Sequence, residues 1–158
     1  MIRIIAIGKL KEKASLALVE EYAKRIRLFS KFEIVEVSDQ KIPQNASLKE
    51  EQMVLLKEGR DVLSKIKDDE YVILMDLHGK TMDSEEFSRT LDKLFVSGKS
   101  NVTFVIGGSL GVSEELVARS DLRFKMSDLT FPHQLVRILL VEQIYRAFTI
   151  TKGITYHK

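Results

Sequence analysis

An α/β fold with a mainly parallel sheet and helices on both faces is predicted for this 158-residue chain by three observations. Strand-like and helix-like segments alternate along it. One strand segment, YVILMDL, is almost continuously apolar, as a strand covered on both faces must be. No linker, repeat or low-complexity tract divides residues 1–158, and 44% apolar content supports one domain with one core.

The elements follow in order. MIRIIAIG and FEIVEV are expected as strands, and between them LKEKASLALVEEYAKRIRLF carries Leu16, Val19, Tyr22, Ala23, Ile26 and Phe29 at helical spacing, giving a βαβ unit. After the polar loop SDQKIPQNA, Ser47 and Glu50 form a capping box that opens the helix LKEEQMVLLKEGRDVLSKI. YVILMDL is the third strand. Asp83 and Glu86 frame the start of SEEFSRTLDKLFVS, which Gly98 is placed to stop. NVTFVIGG is the fourth strand, Ser113 caps a short helix, and LRFKM is a weaker fifth strand. A long last helix is expected to start with Pro132 in its first position.

Composition removes several classes. There is no cysteine, hence no disulfide framework, thiol nucleophile or cysteine-bound zinc. His78, His133 and His157 are too scattered for a metal site, so no metal is expected. No apolar stretch approaches the roughly 18 residues of a membrane helix, and the short N-terminal apolar run has no cleavage site, so a soluble cytoplasmic protein is expected. The net charge of +2 is uneven: from Arg119 onward seven basic residues face three acids. A basic C-terminal quarter suits a polyanion, although such an excess also arises by chance.

Ligands of such a fold belong at the C-terminal ends of the strands, where three loops fall: DLHGK, GGSLG and SDLTFPH. A P-loop is excluded, because its first glycine would stand where Leu74 sits inside a strand. GGSLG, Gly107 to Gly111, lacks the dinucleotide spacing and serves either as a tight turn or as a ligand contact. No G-x-S-x-G elbow supports a hydrolase. In the last helix His133 and Arg137 share a stripe with Leu140, Val141, Ile144 and Phe148, and Leu135 to Val141 is apolar nearly all round. One face therefore suits the sheet and another a second subunit, which predicts a homodimer. His133 and Arg137 then suit an anionic group at the helix N-terminus, or else a cap and a salt bridge.

FVIGGSLG, followed by MSDLTFPHQLVRILLVEQIYRAF and the final YHK, closely resembles the RlmH family of SPOUT-class RNA methyltransferases. AIGKLKE, the Lys57 to Gly59 segment and LHGK extend the match over the whole chain. The resemblance implies a SPOUT-type fold with a C-terminal trefoil knot. It also implies methyl transfer from S-adenosylmethionine to N3 of a pseudouridine in 23S ribosomal RNA, by a homodimer on assembled ribosomes. A SPOUT-like methyltransferase of another RNA, or a non-catalytic ribosome-binding dimer, is the alternative. Cofactor contacts are implied for Met75, Gly107, Met126, Ser127, Asp128, Leu129, Thr130 and Phe131. Within that chemistry, Arg137 is the candidate to stabilise charge developing on the base or to hold a phosphate. His133 or His157 is the candidate proton acceptor, and Tyr156 the residue that stacks on or positions the base. Arg123, Lys125, Arg146 and Lys152 are the expected RNA contacts.

Overall fold

In the computed structural model, which describes residues 1–158, five strands and five helices alternate strictly. They are β1 (Ile2–Ile7), α1 (Lys13–Ile26), β2 (Phe32–Val37), α2 (Leu48–Leu63), β3 (Tyr71–Thr81), α3 (Ser84–Val96), β4 (Val102–Ile106), α4 (Glu114–Arg119), β5 (Leu122–Lys125) and α5 (His133–Thr151). The sheet order is β2-β1-β4-β3-β5 and every pairing is parallel. All five strands thus send their C-terminal ends to one edge, where the loops expected to bind ligands gather.

Side-chain alternation divides the core in two. Ile2, Ile4 and Ala6 of β1 point with Phe104 of β4 and Ile73 of β3 into a layer closed by α1, α3 and α5. Ile5, Ile7, Leu74 and Val105 point the other way, under Val62 of α2 and Leu116 of α4. This two-sided burial is why the central strands carry almost no polar residue. One exception, Thr103, hands its hydroxyl to the buried Glu70, whose other oxygen pairs with Arg3 at 2.6 Å. Both carboxylate oxygens of Glu70 are thereby occupied.

The caps form as the sequence expects. Ser47 and Glu50 make a complete capping box, Asp83 and Ser113 accept from the main chain three residues on, and Gly98 takes φ +84° just beyond α3. Three boundaries differ. Leu10 is buried and its N–H donates to Glu36 Oε1, which holds the chain out of the helix until Lys13. Pro132, with ψ 140°, caps α5 rather than opening it, and His133 is the first helical residue. The third correction concerns DLHGK, expected as a loop. β3 leaves the ladder after Met75 and rejoins it at Lys80, and both residues lie opposite Phe124, so Asp76 to Gly79 form an excursion inside the strand.

Gly79 makes the return possible. A Cβ there would lie 2.6 Å from the carbonyl carbon of Arg123 and 2.7 Å from the Phe124 nitrogen, both main chain of β5. Gly79→Ala is accordingly expected to push the β3–β5 pairing apart at about 1–3 kcal/mol, read as a lower urea midpoint.

Candidate functional site

A cleft opens at the C-terminal edge of the sheet, where ligands of such folds bind. Met75 and the excursion residues Asp76 and Leu77 line one side, and Ile106, Gly107 and Gly108 the floor. Phe124, Met126, Ser127, Leu129 and Phe131 follow from β5 and the loop after it; His133 and Val136 come from the first turn of α5. Six of the eight cofactor positions expected from the sequence therefore share one cleft. The other two do not line it: Thr130 is exposed, and the exposed Asp128 pairs with Lys125 at 2.5 Å, which holds its carboxyl below the ordinary range.

The wall is chiefly apolar; Asp76, Ser127 and His133 supply its polar side chains beside the Gly107–Gly108 main chain. Gly107 has no room for a side chain, since a Cβ would come within 2.7 Å of the Gly111 carbonyl oxygen and of Val112. Asp76, on the wall, is already engaged: Arg123 reaches it through Nε at 2.7 Å and Nη2 at 2.6 Å. Its second oxygen accepts from the His78 N–H at 3.0 Å, closing the excursion on itself.

Beneath the glycine turn lies a residue whose role the sequence did not disclose. Glu58 of α2 is 4% exposed, accepts from the Gln40 N–H at 2.8 Å, and brings Oε2 within 3.0 Å of where a Gly108 Cβ would sit. Gly59 beside it leaves space for Ser113 of α4. That mid-helix glycine was the available signal, because it marks a close approach. Burial pushes the Glu58 carboxyl up from its ordinary 4.5, with Asp39 and Asp61 adding to the effect. Above 4.5 the folded protein thus holds a proton that the unfolded chain has released, and stability falls as pH rises through that window. Glu58→Gln is expected to raise the melting temperature at neutral pH and to have less effect at the acid end of the window.

His133 stands between the cleft and the end of β1. It lines the cleft, and its Nε2 lies 3.5 Å from where a Cβ of Gly8 would be; Gly8 itself holds φ +90°. One turn on, Arg137 is 2% exposed. Nη1 pairs with Glu36 at 2.5 Å, Nη2 donates to the Gly8 carbonyl at 2.9 Å, and Nε is buried without a partner. Its guanidinium thus ties α5 to the ends of β1 and β2.

Tyr156 and His157 lie elsewhere. The Tyr156 hydroxyl donates to Glu142 at 3.0 Å, its ring meets Tyr145 edge-on with centroids 4.8 Å apart, and the Arg146 guanidinium covers it at 4.7 Å. Burial, then hydrogen bonding to Tyr22 and Glu142, keeps the phenol protonated far above neutral pH. Arg146 also reaches His157 Nδ1 at 3.2 Å, and because arginine only donates, that nitrogen is the acceptor. With a rise of 1.5 Å per residue, Arg146 lies about 20 Å along α5 from His133. One chain therefore does not bring the four expected catalytic residues together. Of the expected RNA contacts, Arg123, Lys125 and Arg146 are paired with Asp76, Asp128 and Glu142, whereas Lys152 is exposed. No group of three acidic or histidine side chains could hold a metal, and no helix is long and apolar enough to cross a membrane.

A family model described as predicted SPOUT methyltransferase matches residues 1–157. The ribosomal RNA large subunit methyltransferase H of Clostridium kluyveri is 54% identical over 157 residues, covering 99% of both chains. The protein of the same name from Clostridium acetobutylicum is 52% identical over the same coverage. Among solved structures, a probable methyltransferase from Bordetella pertussis Tohama I has a TM-score of 0.56 over 92% of this chain and 95% of its own; at 16% identity this is a likeness of fold.

Proposed function

The chain belongs to the SPOUT methyltransferase family, and from that premise we propose that it methylates N3 of a pseudouridine in 23S ribosomal RNA, using S-adenosylmethionine, as a homodimer on assembled ribosomes in the cytoplasm. The C-terminal trefoil knot belongs to the same proposal. The observation that carries the reading is the apolar cleft over the glycine turn with His133 on its wall. Its apolar lining and the glycine backbone on its floor suit a nucleoside-bearing sulfonium: Met75, Ile106, Phe124 and Leu129 enclose the adenine, and the Gly107–Gly108 backbone meets its polar edges.

Bound there, S-adenosylmethionine supplies an electrophilic methyl group. What remains for the protein is to hold N3 in line with that group, to accept the N3 proton and to offset charge developing on the ring oxygens. His133 is the acceptor, because it borders the cleft and His157 Nδ1 is already taken by Arg146. Arg137, held by Glu36 and Gly8, positions α5 and the β1 end behind His133 rather than touching the base.

The missing cation and aromatic group come from a second copy. α5 packs against α1 and α3, its Val136, Leu139, Gln143 and Ile150 are only half-buried, and Leu135, Leu129 and Leu77 are 40–69% exposed around its N-terminal end. A two-fold axis crossing α5 near Glu142, its midpoint, sets the C-terminal end of one helix beside the N-terminal end of the other. The partner's Tyr156, the partner's His157 and the partner's Arg146 then face the cleft, closing the gap of about 20 Å.

Transfer of labelled methyl to assembled ribosomes, free large subunits and naked ribosomal RNA tests the proposal. Label on a pseudouridine of assembled ribosomes is the expected result. Cofactor binding with label on a different nucleotide or RNA would move the protein to another SPOUT activity, and absence of cofactor binding would leave a non-catalytic dimer.

A further inference from the structure

We propose that the loop joining β1 to α1, through Lys9, Lys11 and Lys13, holds the backbone phosphates of the RNA strand that enters the cleft; the inference rests on the RNA substrate proposed above. All three ammonium groups are exposed and none takes part in an ion pair. Between them stands a single acid, Glu12, so residues 9–13 carry a local charge of +2 (three lysines against one glutamate). The arginine and lysine nearer the cleft's other rim are neutralised in place: Arg123 by Asp76 and Lys125 by Asp128. A phosphate arriving there must displace a carboxylate; at the lysine loop it displaces only mobile counterions.

The loop is a fixed base for these charges. Leu10 is buried and its N–H is bound by Glu36, while the Gly8 carbonyl is bound by Arg137. With Leu10 turned into the core, Lys9 and Lys11 on either side project outward, about 7 Å apart along extended chain. Gly8 abuts His133, and His133 lines the cleft. Phosphates held by the lysines would thus flank a nucleotide whose base reaches the acceptor histidine, while cofactor occupies the far side. The pair of partly exposed Glu36 with buried Arg137 gains a purpose from this arrangement, since it locks the RNA-facing loop and α5 into one unit.

The test compares Lys9→Gln/Lys11→Gln/Lys13→Gln with Lys65→Gln/Lys67→Gln/Lys99→Gln, which removes the same charge from exposed lysines at the opposite edge of the sheet. Binding to assembled ribosomes is titrated against salt, with S-adenosylmethionine affinity and circular dichroism as checks on cleft and fold. The loop variant is expected to bind ribosomes about 10- to 100-fold more weakly at physiological ionic strength, with a log–log salt slope shallower by about 2, because each single-strand phosphate contact contributes about 0.7. Its cofactor affinity stays within about 2-fold of the parent, since no phosphate contact is involved. Equal slopes in parent and loop variant, or an equal loss in the opposite-edge variant, would overturn the proposal. A parent protein that binds cofactor but not ribosomes or ribosomal RNA would instead sink the substrate reading on which it rests.

Discussion

Two inactive variants are expected to restore one another when co-expressed with separate tags and purified as mixed dimers. The first, Gly107→Val, forces a branched side chain against the Gly111 carbonyl and Val112, so it closes the cofactor cleft; loss of S-adenosylmethionine binding by about 100-fold or more is expected. The second, Tyr156→Ala/His157→Ala, leaves that cleft intact about 20 Å away along α5 and removes the groups proposed to reach the partner's site. In a mixed dimer one of the two sites then has a sound cleft facing a sound tail. Every purified mixed dimer has one sound site of two, so about half of parental activity should return on statistical grounds. No recovery in isolated mixed dimers, with cofactor binding retained by the second variant, would show that each site is built from one chain. The assay separates this from mere instability, because cofactor binding by the tail variant is measured independently.

Glu36→Ala is expected to be among the most destabilising single substitutions in the molecule. It removes the only carboxylate paired with Arg137, a guanidinium 2% exposed whose Nε already lacks a partner, and it strips the Leu10 N–H of its acceptor. Breaking one side of a buried pair costs about 3–5 kcal/mol, and because Glu36 is one-third exposed the lower end, about 3, applies. For a chain of this length that is roughly 6–12 °C in melting temperature. Arg137→Met combined with Glu36→Leu should recover much of the loss, since two apolar side chains leave no charge stranded. Activity should not return with stability, because the tie between α5 and Gly8 is gone. Recovery of full activity in the stable double variant would mean that the tie does nothing for the site.

The layers of the fold were legible because they follow from periodicity. Val19, Ala23 and Ile26 recur at helical spacing and are buried, Ser47 and Glu50 cap as a pair, and the strand YVILMD is apolar because both sheet faces are covered. What escaped the sequence depends on partners far apart along it. Asp76 and Arg123 are 47 residues apart, Glu36 and Arg137 are 101 apart, and nothing local to either arginine tells that its charge is spent. Gly79 fell in the expected DLHGK loop, and its reason is steric: a side chain there would meet the main chain of β5. Glu58 entered the sequence reading only within the Lys57 to Gly59 segment of the resemblance; its burial depends on the glycine turn and on Gln40, which lie far from it along the chain. The expected cofactor positions rest on family resemblance. Apolar residues and glycines at strand ends do not distinguish a cleft from a tight turn.

The excursion in β3 has a consequence for how this protein can vary. The strand departs opposite Phe124 and returns opposite the same residue, so the sheet register beyond it is independent of how many residues the detour contains. Insertions or deletions between Asp76 and Gly79 would reshape the entrance to the cleft while α3, β4 and the core keep their places. A change of length in the detour would thus alter the rim of the cleft without shifting the register of the strands behind it.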